Sequence, residues 1–216
     1  MLRTSESRVK LAVRLARKYG LIHIGSNAMW LNGIKTLVKD LDFYSRKPGV
    51  HTVIAENENG KIINEKDDRA RIEVNNVVVD IDYPNALGLE YIASNFSDGE
   101  KINIDGLLFL KLYKIANFSV PRLYEEFSDR FYVPKQIVDV GLLVINGADI
   151  DKALDVFEKF NLKDELYRLA FLHLSDEFHY GIALLSYIVG SVEKAYEILE
   201  QITTRIKERF KLSQYV

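Results

Sequence analysis

Ile22-His23-Ile24-Gly25-Ser26 and, fourteen residues after the serine, Asp40-Leu41-Asp42-Phe43 form the stretch whose reading decides the fold. It reads as a short apolar strand, a glycine–serine turn, a helix over about residues 27–34 and a second strand over 38–44. Side chains alternate faces along a strand. Asp40 and Asp42 are therefore predicted to share one face, with Leu41 and Phe43 entering the opposite layer. Two carboxylates held side by side repel each other unless a cation sits between them. A hard ion such as Mg²⁺ suits that place, because it is bound through one or two carboxylates together with substrate phosphates. The backbone N–H groups of the Gly25-Ser26 turn, opening a helix, offer a docking place for a phosphate.

A third acid is needed to complete such a site. Val77-Val78-Val79-Asp80-Ile81-Asp82 is a β-branched run ending in acids, and in an antiparallel or mixed sheet it can lie beside the first acidic strand. Asp80, nearest the apolar run, is the preferred third ligand, and Asp82 is the alternative. Around these strands the pattern continues in both directions. Val9, Leu11, Ala12, Leu15 and Ala16 recur at helical spacing, in a helix capped by Thr4 or Ser5 and ended at Gly20. Residues 51–55 read as a strand, Asn57-Glu58-Asn59-Gly60 as a turn into a strand over 61–64, and Arg71-Ile72-Glu73-Val74 as a strand joined to the next at Asn75-Asn76. From Asp105, placed as an N-cap, the periodicity is helical to the end, with Pro121 and Pro134 where helices begin. The expected architecture is α+β: a mixed sheet flanked by helices over residues 1–104, then an all-helical domain over 105–216.

Composition narrows the function classes. A chain of 216 residues with 48% hydrophobic content buries a real core. The formal charge of −2 gives no global electrostatic case for nucleic-acid binding. With no cysteine, disulfides and thiolate sites are excluded. The apolar runs fall far short of the roughly 20 residues that cross a bilayer, and the charged opening helix does not read as a secretory signal, so the chain is expected in the cytoplasm.

On Ile24-Gly25-Ser26, Asp40-Leu41-Asp42-Phe43 and Val79-Asp80, the sequence resembles the nucleotidyltransferase superfamily, with the fold of the DNA polymerase β catalytic domain. The resemblance covers residues 10–82. It looks closest to the small prokaryotic branch of abortive-infection toxins, whose Gly-Gly-x-Ala-type turn matches Gly25-Ser26-Asn27-Ala28, although Thr36 and Val38 stand where that branch often has Arg and Thr. The resemblance implies transfer of a nucleoside monophosphate from an NTP to an acceptor hydroxyl. Asp40, Asp42 and Asp80 would be the catalytic and metal-binding acids for Mg²⁺ or Mn²⁺. Gly25, Ser26 and Lys39 would hold the nucleotide, joined by Lys111 on the first helix after the catalytic unit. The acceptor stays open among tRNA, a protein and a small molecule, and the toxin branch brings an antitoxin partner into view. The alternative is a catalytically inactive module of the same fold that binds nucleotide or a partner protein. Of the other conspicuous residues, His23, Met29 and Trp30 read as structural, Asp67-Asp68 as a solvated turn, and Lys35 either draws in triphosphate or is an ordinary exposed lysine.

Overall fold

The computed structural model describes residues 2–84, 86, 88–118 and 132–211, and among these the chain forms ten α-helices and a five-stranded mixed sheet. Pro121 lies outside the described residues. The chain divides into two compact units, Met1–Leu107 and Leu108–Val216.

In the first unit the sheet runs in the order β1-β2-β5-β4-β3. Its strands are β1 (Ile22–His23), β2 (Leu41–Tyr44), β3 (Lys61–Lys66), β4 (Arg69–Val74) and β5 (Val77–Asp82). β2 and β5 are parallel, and the other pairs are antiparallel. One face is a continuous core. Leu41, Phe43, Ala70, Ile72, Val74, Val79 and Ile81 are buried there against Val9, Ala12, Leu15 and Ala16 of α1 (Leu2–Tyr19) and Val50 and Ile54 of α3 (Val50–Asn57). The opposite face carries the polar members of the same strands, as the two-residue side-chain period requires.

Three local expectations are corrected. Residues 51–55 are helical, not extended: they lie in α3 (Val50–Asn57), which Gly49 introduces at φ +74°. The β-branched composition of His51-Thr52-Val53-Ile54 favours a strand. Val50 and Ile54, four apart, nonetheless enter the core together, and burial of that helical face outweighs the propensity. Neither Thr4 nor Ser5 caps α1, which begins at Leu2; the buried Ser5 hydroxyl instead accepts a bond from the Val38 N–H at 3.1 Å. Asn103, not Asp105, caps α5 (Ile104–Phe118): its Oδ1 accepts from the N–H groups of Asp105 at 3.1 Å and Gly106 at 3.0 Å. Before it, α4 (Leu89–Asn95) closes the first unit's helices.

The second unit is helical throughout its described residues. It holds α6 (Tyr132–Ile145), α7 (Ile150–Lys159), α8 (Lys163–Ala170), α9 (Asp176–Val189) and α10 (Val192–Arg209). Pro134 falls in the first turn of α6, where its missing N–H costs nothing. α6 and α9 approach closely because each offers a glycine to the other. A Cβ on Gly181 would lie 2.7 Å from Ile137, and one on Gly141 would lie 2.4 Å from Leu185.

Candidate functional site

The parallel register of β2 and β5 sets Asp42 directly beside Asp80 and Tyr44 beside Asp82. Leu41, Phe43, Val79 and Ile81 between them go into the core. Asp42, Asp80 and Asp82 thus stand on the face turned away from α1 and α3. Asp40 lies just before β2, in a bend, and the three acids feel one another there. Burial pushes the Asp40 carboxyl above its ordinary range, and the charges of Asp42 and Asp80 push it further, against the pull of Lys39 and Arg71.

α2 (Gly25–Leu31) holds Asp42 in place from the other side. Gly25 has φ +62°, and a Cβ there would stand 2.2 Å from Asp42 Oδ2, so only glycine lets the turn come this close to the carboxylate. Asn27, fully buried, donates from Nδ2 to the Asp42 carbonyl at 3.0 Å and accepts at Oδ1 from the Asp42 N–H at 3.1 Å. Its amide thereby extends the pairing of β2 like a short piece of strand. The Ile24 N–H adds a second bond to the same carbonyl at 3.1 Å. Asn27→Ala strands these buried polar groups, and a loss of at least about 2 kcal/mol of stability is expected in urea denaturation. A variant with wild-type stability would mean that Asn27 is dispensable to the site.

Asn27 Nδ2 also reaches His23 Nδ1 at 3.0 Å. Burial and then the Lys101 charge lower the His23 imidazole to about 4, so it is neutral at physiological pH and serves as an acceptor in the scaffold. A histidine depressed from 6.5 to about 4 contributes stability that is complete above pH 6.5 and is lost as pH falls toward 4. The full swing is about 3 kcal/mol. His23→Gln keeps an acceptor without a titrating ring, so its urea midpoint should fall less between pH 7 and pH 4.5 than that of the unaltered protein.

The guanidinium of Arg71 takes both oxygens of Asp80, Nε to Oδ1 at 2.7 Å and a terminal nitrogen to Oδ2 at 2.9 Å. Two register positions away, Arg69 Nε lies 2.5 Å from Asp82 Oδ1. Both pairs follow from the hairpin: Asn75 and Asn76, both at positive φ, close a two-residue turn that sets Val74 opposite Val77 and Arg71 opposite Asp80. Among the described residues no three His, Cys, Asp or Glu side chains are arranged to hold a metal ion. The donor set still fits one in part. Asp40 and Asp42 are hard oxygen ligands near enough for the Asp42 charge to act on Asp40, as suits a divalent cation, while Asp80 is committed to Arg71.

The other expected site residues are placed as follows. Ser26 is buried in the first turn of α2, and Lys39 is exposed beside Asp40. Lys35 lies 3.9 Å over the Trp30 ring, and Met29 is in the core. Lys111 is buried in the helical unit with its ammonium 2.6 Å from Asp139. Sequence reasoning passed over Arg71, Arg69 and Asn27. The alternation Arg69-Ala70-Arg71 ahead of a two-asparagine turn was the available signal for the two arginines; Asn27 had none.

No family model and no curated protein matches the chain. It is similar to a crystal structure of ANT(2″)-Ia in complex with adenylyl-2″-tobramycin, at 15% identity over 76% of this chain and 99% of that one, with a TM-score of 0.48. It is similar to a solution structure of the same antibiotic-resistance factor, at 15% identity over 79% and 98% and a TM-score of 0.48. It is also similar to an H. pylori protein described as a nucleotidyltransferase, at 14% identity over 93% and 96% and a TM-score of 0.39. The solved structures it resembles are nucleotidyltransferases.

Proposed function

We propose that this protein is a metal-dependent nucleotidyltransferase that moves a nucleoside monophosphate from an NTP to an acceptor hydroxyl. The observation that carries the reading is Asp42 held beside Asp80 on adjacent parallel strands, with Asp40 within reach of both charges and Gly25 close against the Asp42 carboxylate. In this reading Asp40 and Asp42 hold Mg²⁺ or Mn²⁺, and Asp80 is the third acid. A bound divalent cation would neutralise triphosphate charge and lower the pKa of the acceptor hydroxyl. The chain's own groups do the rest. Gly25, Ser26 and Lys39 take the triphosphate, and Asn27 keeps the Asp42 backbone from shifting as charge builds up on the open face. The acceptor is sought among tRNA, protein hydroxyls and aminoglycoside-like sugars. With a tRNA or protein acceptor, a toxin role with an antitoxin partner follows.

The test is incubation with Mg²⁺ or Mn²⁺ and each α-labelled NTP, alone, with total RNA and with aminoglycosides. Label on any acceptor, lost in Asp42→Asn, supports the proposal. Tight nucleotide binding with no transfer to any of them favours the second reading, a non-catalytic nucleotide-binding module. That reading draws on the commitment of Asp80 to Arg71.

A further inference from the structure

The sequence calls for three acids around a cation, yet one of the three already has a cation of its own. We propose that Arg71 is an internal counter-ion for Asp80 that yields when a divalent metal enters, so that the third acid joins the site only when the site is loaded. The inference rests on the metal-dependent reading above.

Three features carry it. The fork from Arg71 satisfies both Asp80 oxygens at 2.7 and 2.9 Å, so the carboxylate charge is balanced without a metal. The Asp80 side chain is 11% exposed while that of Arg71 is 45% exposed, so the guanidinium can turn out into water when the carboxylate is taken over by a stronger cation. The surroundings also set the direction of exchange. Asp40 and Asp42 lie close enough to Asp80 to be felt through space, and a doubly charged cation held by them would repel the guanidinium and attract Asp80. The neighbouring pair is a built-in control. Arg69 is bonded to Asp82 in the same hairpin, but Asp82 lies beside Tyr44, whose hydroxyl donates to Glu90, rather than beside an acid of the site. Two similar ion pairs two register positions apart are therefore assigned different roles.

The experiment is Mn²⁺ titration of the nucleotide-free full-length protein, read by electron paramagnetic resonance of free Mn²⁺ and by calorimetry. Arg71→Met frees Asp80 and adds a charged ligand to the site, so it should bind Mn²⁺ about tenfold more tightly than the unaltered protein. Arg69→Met removes a charge that Asp80 and Asp42 also feel but frees no acid of the site, so its gain should be clearly smaller than that of Arg71→Met, and Asp80→Asn added to Arg71→Met should erase the gain. Arg71→Lys retains the charge but not the fork and should fall between; it also serves if Arg71→Met does not give a folded circular dichroism spectrum. Equal or weaker binding by Arg71→Met overturns the proposal while leaving the metal-dependent reading intact. A gain of the same size in Arg69→Met also overturns it, because the effect would then be general charge removal. Absence of Mn²⁺ binding in every variant, with ATP present as well as absent, overturns both.

Discussion

On the proposed function, Asp42→Asn and Asp40→Asn are each expected to lower nucleotidyl transfer by about a thousandfold or more while leaving the protein folded. An amide keeps the size of the carboxyl group and removes its charge, so the loss reads the electrostatic part of the site alone. A thousandfold loss corresponds to about 4 kcal/mol of transition-state stabilisation, a reasonable share for an acid that holds a catalytic metal. Asp40 adds a second readout of opposite sign. Burial and the charges of Asp42 and Asp80 hold its carboxyl above the ordinary range, so the ionised form is disfavoured in the fold. A group shifted in this direction stabilises the protein at low pH, and that contribution disappears as pH rises through its folded-state pKa. At neutral pH Asp40→Asn should therefore melt at a higher temperature than the unaltered protein while losing activity. An Asp40→Asn protein that transfers label within tenfold of the unaltered rate would end the enzymatic reading. One that loses activity and melts lower would make Asp40 a structural residue.

The parts of this site that were legible from sequence are those written in short-range pattern. The order of strand, Gly25-Ser26 turn, helix and acidic strand can be read directly, as can the alternation that sends Leu41 and Phe43 to the core and Asp42 to the open face. The valine run ending at Asp80 identifies β5 as a buried strand by the same logic. The parallel pairing of β2 with β5 is less accessible, because α3, β3 and β4 intervene and the register is a tertiary outcome. Local pattern fails where a distant partner decides. Ser5 is used as a buried acceptor for Val38 instead of a cap, and residues 51–55 pack as a helix because Val50 and Ile54 reach the core together. Asn27 illustrates the limit: a buried asparagine at a helix start has no sequence signature separating a backbone clamp from an ordinary polar residue. In the helical half, Lys111 stands out in an apolar helix for a physical reason, but the carboxylate it bonds, Asp139, is 28 residues away on another helix.

That pair supports the largest stability effect expected in the molecule. Asp139→Leu should destabilise the protein by about 3–5 kcal/mol, measured by urea denaturation followed by circular dichroism, because it leaves a buried ammonium without its anion. The Asp139 side chain is fully enclosed and that of Lys111 is 4% exposed, with 2.6 Å between Nζ and Oδ2; Lys135 approaches the same oxygen at 3.0 Å from one turn away on α6. Burial lowers the Lys111 ammonium to about 8, and Asp139 opposes that shift. Exchanging both partners for apolar groups removes the charges together with their desolvation cost. Lys111→Met/Asp139→Leu should therefore recover most of what Asp139→Leu loses, since buried ion pairs are often no better than apolar packing of similar volume. The pH dependence separates a charge effect from a packing effect. A lysine depressed from 10.5 to about 8 contributes stability that is complete above pH 10.5 and is lost as pH falls through 8. Without Asp139 the folded-state value drops further, so Asp139→Leu should regain stability relative to the double variant as pH is raised from 7 to 9. Equal losses in the single and double variants, with no relative gain at pH 9, would mean that Asp139 shapes the packing of α5 and α6 and does not act through its charge.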